Sequence, residues 1–262
     1  MGRLIRLLLG LYLLAALASP LPALRERARD TSGPLAAAPS AEHWLGTTRN
    51  GQDLAARVVL ASGQAATQGL ALGLATTALG VLLGALARAH ALGRHGMQAL
   101  ATLADALPFY LLALALGHAL GGSAWALPLA IVLSQWTLTA RLLAIELQRI
   151  ESSGFVAAAQ VAGLGRLQRL RHHLLPHSRA VILPQALLTT VVAIKAEVLL
   201  GFLGLGSPET VSFGLLLAEA GRDLLAGSVN GLIASGGALA GLVLLLSHLA
   251  SQLARAPGPP LR

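Results

Sequence analysis

Six side chains in this 262-residue chain stand out for chemistry: His172, His173 and His177 in a basic stretch, and Asp105, Lys195 and Glu197 in or near apolar runs. His173 and His177 have the i,i+4 spacing that lets two imidazoles share a metal on one helix face. Pro176 interrupts that helix and no carboxylate adjoins the pair, so solvated histidines of a basic loop fit better than a metal centre. Cysteine is absent, which excludes disulfides, zinc-thiolate sites and thiol nucleophiles. The H-E-x-x-H and G-x-S-x-G patterns are missing too. A phosphate-binding loop needs a lysine after a glycine-rich turn, and the only lysine, Lys195, lies in the apolar run "AIKAE". No hydrolysis of ATP, and no cofactor, is expected of this chain itself.

Asp105, Lys195 and Glu197 need a different account. An ionisable residue at membrane depth costs about 2.5–3.5 kcal/mol on insertion scales and faces a bundle interior or a water-filled path. These three either line a path or form structural ion pairs, and both readings stand. Lys195 and Glu197 are two residues apart, do not share a helix face, and should have different partners.

The elements that must position these residues are apolar helices. Hydrophobic residues make up 55% of the chain and charged residues only 11%, against roughly 25% charged in soluble domains. Runs near the roughly 20 residues needed to cross a bilayer recur. Six candidate spans follow: about Leu4–Ala23, Thr67–Ala87, Met97–Leu120, Ser123–Ala144, Ala180–Leu205 and Val229–Leu253. Hydrophilic breaks fall at 24–66, 88–96, 145–179 and 206–228, with a Gly121–Gly122 turn, and the tail from Arg255 reads as disordered. The expected fold is all-α, a polytopic bundle of about six transmembrane helices. The net charge of +8 sits in short loops with few aromatics nearby, which points to membrane orientation and not to nucleic acid.

Arg3 and Arg6 before an apolar core also fit a signal peptide, but the later spans favour a retained helix. An N-terminus inside places twelve arginines in cytoplasmic segments and leaves six outside: Arg25, Arg27, Arg29, Arg49, Arg57 and Arg222. That bias and the even span count put both termini and residues 145–179 in the cytoplasm. Gly69/Gly73, Gly80/Gly84, Gly117/Gly121 and Gly237/Gly241 have the small-xxx-small spacing of closely packed membrane helices.

The stretch "GFVAAAQVAGLGRLQRLRHHLLPHSRAVILP" (residues 154–184) departs from this pattern. It reads as a short helix capped by Ser152 or Ser153 and ended by Gly163, followed by a basic helix with Leu167, Leu170 and Leu174 on one face. The first helix offers almost nothing but small side chains, Ala157, Ala158, Ala159 and Ala162, and suits a groove on another protein. An amphipathic helix at the membrane surface is the plainer alternative.

"FVAAAQVAGLG" followed by "RHHLLP" resembles the cytoplasmic EAA loop of ABC-importer permeases. The family's alanine pair falls on Ala158 and Ala159, its glycine on Gly163 and its Leu-Pro on Leu175 and Pro176, while Ala157 replaces its glutamate. "AEVLLGFLGLG", "SFGLLLAEAGRDLL" and "HWLGTTRNGQDLAAR" resemble the C-type subunit of dipeptide, oligopeptide and nickel importers, with Thr48 and Gln52 in place of the usual Asp and Arg. That family's aromatic start to the last span and its Gly-Asp-rich close are missing. The resemblance implies a single permease domain over 1–262: a first span and external segment to about 66, a core over 67–228 holding the loop 145–179, and a last span and tail over 229–262. It implies an inner-membrane subunit that pairs with a related permease, two ATP-binding cassette ATPases that bind the ATP, and an external solute-binding protein. The loop would be the coupling helix. Cargo would be a peptide or a related small solute such as nickel. A secondary transporter without an ATPase is the main rival, and a membrane enzyme is disfavoured by the missing catalytic patterns.

Overall fold

The computed structural model describes residues 2–89, 91–106, 108–119, 125–206 and 210–255, and apart from one bridge between Thr47 and Asp53 its regular elements are helical. Helix α1 (Gly2–Ala18) turns by 90° into α2 (Pro22–Arg29), with Pro22 in the first turn of α2, where a missing N–H costs nothing. An irregular segment leads to α3 (Leu54–Ala89). Next come α4 (Ala91–Ala106) and α5 (Phe109–Ala119), bent by 94° where Pro108 breaks the ladder. Then follow α6 (Ala126–Glu151), α7 (Gly154–Val161), α8 (Arg166–Arg169), a π-helical turn over Leu170–Leu174, and α9 (Leu175–His177). The chain closes with α10 (Arg179–Phe202), α11 (Phe213–Leu225) and α12 (Asn230–Arg255).

Helices α3, α6, α10 and α12 are each long and apolar enough to cross a bilayer, and the two bent pairs bring the number to six if each pair is one span. The expected all-α polytopic bundle is therefore present, with two refinements. The runs expected as the first and third spans are each bent, as a broken span or a re-entrant loop is. The second begins at Leu54 and not near Thr67, because Arg57 and Gln64 depress the local hydropathy without breaking the helix, whose Leu54, Val58, Ala61 and Ala65 enter the core. The break at 206–228 likewise holds a full helix, α11, whose N-cap Ser212 accepts the Leu215 N–H at 3.3 Å.

Helix α3 organises the bundle. A Cβ added at Gly69 would overlap Ile194 of α10, and one at Gly73 would lie 2.6 Å from the Thr190 Cα. Two turns on, a Cβ at Gly80 would lie 2.6 Å from the Thr139 Cβ of α6, and one at Gly84 would lie 3.0 Å from the Ala140 carbonyl oxygen. These two glycine pairs therefore seat α3 on α10 and then on α6, as their spacing implies. Of the other pairs, Gly241 faces the Tyr12 hydroxyl and Gly237 meets nothing. Gly121, the Gly121–Gly122 turn and the tail beyond Arg255 lie outside the described residues. The main core joins Tyr12, Leu54, Val58, Ile194, Val198, Phe213, Leu216 and Leu242 from α1, α3, α10, α11 and α12. A second core, at the opposite end of α3, collects Leu143, Leu147, Ile150, Val156, Leu170 and Leu174.

Candidate functional site

The second core holds the α7 segment in place. Ser153 takes the N-cap position of α7 with extended backbone, but its hydroxyl donates to the Ile150 carbonyl at 2.5 Å and that of Ser152 to Arg149 at 2.7 Å. Neither hydroxyl caps α7. At the other end Gly163 has φ +82°, its N–H donates to the Gln160 carbonyl at 3.0 Å, and the Leu164 N–H reaches the Ala159 carbonyl at 3.1 Å. Those two bonds and the left-handed glycine make a Schellman end, as the position of Gly163 implies.

Burial divides the helix into two faces. Val156 and Ala159 turn inward, while Ala157, Ala158, Val161, Ala162 and Gly163 are open, and nothing lies within contact of the space above Gly163. Of the four alanines expected to meet a partner, Ala157, Ala158 and Ala162 therefore point outward and Ala159 supports them from below. Arg169 of α8, buried, donates Nη1 to the Gln160 side-chain oxygen at 2.8 Å. Leu170 and Leu174 enter the core, whereas Leu167, in the first turn of α8, lies beyond its edge and is exposed. Leu175 is half-buried against the same core and Pro176 is exposed. The π-helical turn directly before Leu175 absorbs the register change that a proline without an N–H demands. His177 donates Nδ1–H to the His173 carbonyl at 2.7 Å and lays its ring 4.8 Å from that of Phe155, centre to centre. Both histidines thus pack on Phe155, and among the described residues no group of three His, Asp or Glu could hold a metal. An ion pair from Arg88 to Glu151 ties the end of α3 to the end of α6 beside α7.

The three charges in apolar sequence are not brought together. Asp105 of α4 pairs with Arg141 of α6 at 2.7 Å and accepts the Thr137 hydroxyl at 2.7 Å. Next to that pair a cavity of about 580 Å³ opens between α3, α4 and α6, with Arg88 and Arg141 among its lining residues. Lys195 is exposed on α10 and Glu197 is half-buried; neither has an ion-pair partner among the described residues.

At the far end of α3 lies a cluster whose residues, Arg27 apart, fall within two of the quoted motifs but were given no role there. Asp53, almost fully buried, accepts Arg27 Nε and Nη2 at 3.1 and 2.9 Å, lies 3.0 Å from His43 Nδ1, and caps α3 through the Ala56 N–H at 2.9 Å. Burial pushes its carboxyl up, but the Ala56 N–H, His43 and Arg27 together hold it below the usual carboxylate range. Arg57, 3% exposed, makes a two-pronged contact with Glu219 of α11 at 2.6 and 3.1 Å, and Arg49 lies 3.8 Å from Asp223. Burial raises the Asp223 carboxyl, opposed in part by Arg49. The one local signal was "RNGQD", a turn with Gly51 at φ +77°, which returns the chain onto α3. The partner Glu219 is too distant in sequence to be found that way.

Residues 76–257 match the family described as binding-protein-dependent transport system inner membrane component. A candidate peptide permease protein of Brucella suis biovar 1 is 32% identical over 188 residues, covering 70% of this chain and 61% of the relative. A dipeptide transport system permease protein of Alkalihalophilus pseudofirmus is 30% identical over 212 residues, covering 79% of this chain and 69% of the relative. A protein of Escherichia coli K12 named as a probable D,D-dipeptide transport system permease is 32% identical over 189 residues, 71% of this chain and 62% of its own length. The chain thus spans about three fifths of the length of the Brucella and Escherichia relatives.

Proposed function

The chain belongs to the family of binding-protein-dependent transport system inner membrane components, and on that premise we propose that it is a permease subunit of an ABC importer. It forms half of a translocation path for peptides or a related small solute. The observation that carries this reading is the α7 segment, a short helix set on the end of the bundle, with an outward surface of small residues and a glycine-terminated end. Such a surface lets a partner approach the backbone closely, as a coupling contact requires. Ala157, Ala158, Gly163 and the Leu175–Pro176 turn make that contact, with Ala159 beneath.

In this reading residues 1–262 act as one transmembrane domain, with both termini and the α7 end in the cytoplasm and the Asp53 cluster outside. The arginine distribution supports that orientation. A related permease completes the path, two ATP-binding cassette subunits bind and hydrolyse the ATP, and an external binding protein delivers the solute. This chain is not catalytic. ATP binding draws the paired coupling helices together and shifts the bundle between inward- and outward-open states. Lys195 and Glu197, without ion-pair partners among the described residues, face the path, and the Asp105–Arg141 pair braces its wall. Peptide cargo is supported by the names of the relatives.

The test is purification of the tagged chain from its native membranes, with reconstitution of whatever co-purifies. Two ATPase subunits and ATP-dependent peptide uptake are expected. Uptake driven by an ion gradient without any ATPase would replace this reading with a secondary transporter.

A further inference from the structure

Lys195 is the only lysine in the chain, and it stands where a lysine is hardest to keep. Helix α10 is the most enclosed of the four long spans: 56% of its apolar window is buried within the chain, against 33%, 44% and 17% for α3, α6 and α12. Helices α3, α5, α6, α11 and α12 all pack on it. Its open face carries Leu188, Lys195 and Phe202, each seven residues from the next. A seven-residue step returns to nearly the same side of a helix, so these three share one stripe. The ammonium has no acid to pair with in the described residues. Asp105 is taken by Arg141, and Glu197 lies about 200° around the helix. A cation on a lipid-facing stripe would carry the insertion penalty except where its stem snorkels to the interface. The same cation on a stripe facing a water-filled path gains a partner whenever an anion passes.

We propose that Lys195 is a specificity-determining residue of the path and that it reads the free C-terminal carboxylate of a peptide in transit. This rests on the peptide-importer reading above. The ammonium offers three donors and a full charge, which a carboxylate satisfies and a C-terminal amide does not. Discrimination arises because the amide can accept a hydrogen bond but leaves the charge of Lys195 uncompensated as the peptide displaces its water. Arginine in the same place retains the charge, and methionine retains only the length.

The experiment uses the assembled importer in vesicles, with its partner subunits and binding protein, and two probes: a library of di- to pentapeptides with free C-termini and the same library amidated. The binding protein is common to all variants, so its own preference cancels when variants are compared. Lys195→Met is expected to lower uptake of the free acids relative to the amides by roughly ten- to a hundredfold, the size of one charge-assisted contact. Lys195→Arg should keep most of the wild-type ratio. Because the chain has no native cysteine, Lys195→Cys treated with aminoethyl methanethiosulfonate, which restores an ammonium, should recover the ratio, with wild type given the same reagent as control. Equal loss of both libraries in Lys195→Met would make the residue structural, and no change in either would place it in lipid. Either result overturns the proposal. If the wild-type assembly takes up neither library, the peptide reading itself has failed and this proposal falls with it.

Discussion

Arg169 reaches back across the Gly163 turn to donate its guanidinium to the Gln160 side chain, and this is the side-chain hydrogen bond that joins α8 to α7. The guanidinium is buried and its Nε has no partner among the described residues, so Gln160 is its main relief. Gln160→Leu should therefore loosen the whole segment. Amide exchange over residues 154–169 is expected to speed up by about tenfold or more, the effect of losing a hydrogen bond to a charged group, while the spans remain protected. Unchanged exchange in that segment would mean that the second core alone holds α7.

Gly163 and Ala158 test the coupling surface. Gly163→Val forces a β-branched residue into the left-handed region at a cost of about 1–2 kcal/mol, and Ala158→Arg puts a long charged side chain on the open face. Both should leave membrane insertion intact, reduce ATPase co-purification and abolish ATP-driven uptake. Ala157→Glu, on the same face, should be tolerated. Normal assembly and transport by both disruptive variants would reduce α7 to a surface helix.

Gly73 tests the packing of α3. A Cβ there would sit 2.6 Å from the Thr190 Cα, which is backbone and cannot swing aside. Gly73→Leu should destabilise the bundle by about 1–3 kcal/mol or more through overpacking, lowering the thermal midpoint in detergent. Gly236→Leu, where an added Cβ meets nothing, is the control and should change it little.

Glu219→Gln tests the clamp between α3 and α11. Removing one partner strands the Arg57 charge in a buried site, and loss of a buried pair costs about 3–5 kcal/mol; the partial exposure of Glu219 places the expected effect at or below the lower end. Proteolysis of the segment around α11 should accelerate well before the bundle unfolds. Equal protection in variant and wild type would show that the apolar contacts of Phe213 and Leu216 suffice.

The Asp53 cluster predicts a pH dependence. Its carboxyl lies below the usual range in the folded chain, so it adds stability above the unfolded carboxylate pKa, and that stability is lost as pH falls through the folded value. Asp53→Asn should lower the thermal midpoint at neutral pH, and the gap to wild type should close as the solution is acidified below about pH 4. A gap that stays constant with pH would assign the effect to helix capping by the side chain and not to its charge.

Much of this architecture was legible from local patterns. Apolar runs marked the spans, the Gly69/Gly73 and Gly80/Gly84 pairs marked the contact face of α3, and Gly163 marked the end of α7, because each rests on a property of neighbouring residues. What escaped was non-local. The start of α3 at Leu54 depends on Arg57 finding Glu219, far along the chain, and hydropathy counts that arginine only as a penalty. The inward turn of Ala159 depends on which neighbour the helix meets, whereas the two bends fall at Pro22 and Pro108 and were open to local reading. The two-residue spacing of Lys195 and Glu197 puts them on different sides of α10, where the lysine is exposed and the glutamate half-buried.

The length of α3 carries a mechanical consequence. Its 36 residues extend about 54 Å, against a hydrocarbon layer of about 30 Å, so the rod overhangs the bilayer. Near one tip Arg57 grips α11, and near the other Arg88 grips Glu151 beside α7. Those two grips lie about 46 Å apart on one uninterrupted hydrogen-bonded cylinder. A rod that long, pivoting on its close glycine contacts with Thr190 and Thr139, would carry a tilt at the α7 tip to the other tip in the opposite sense.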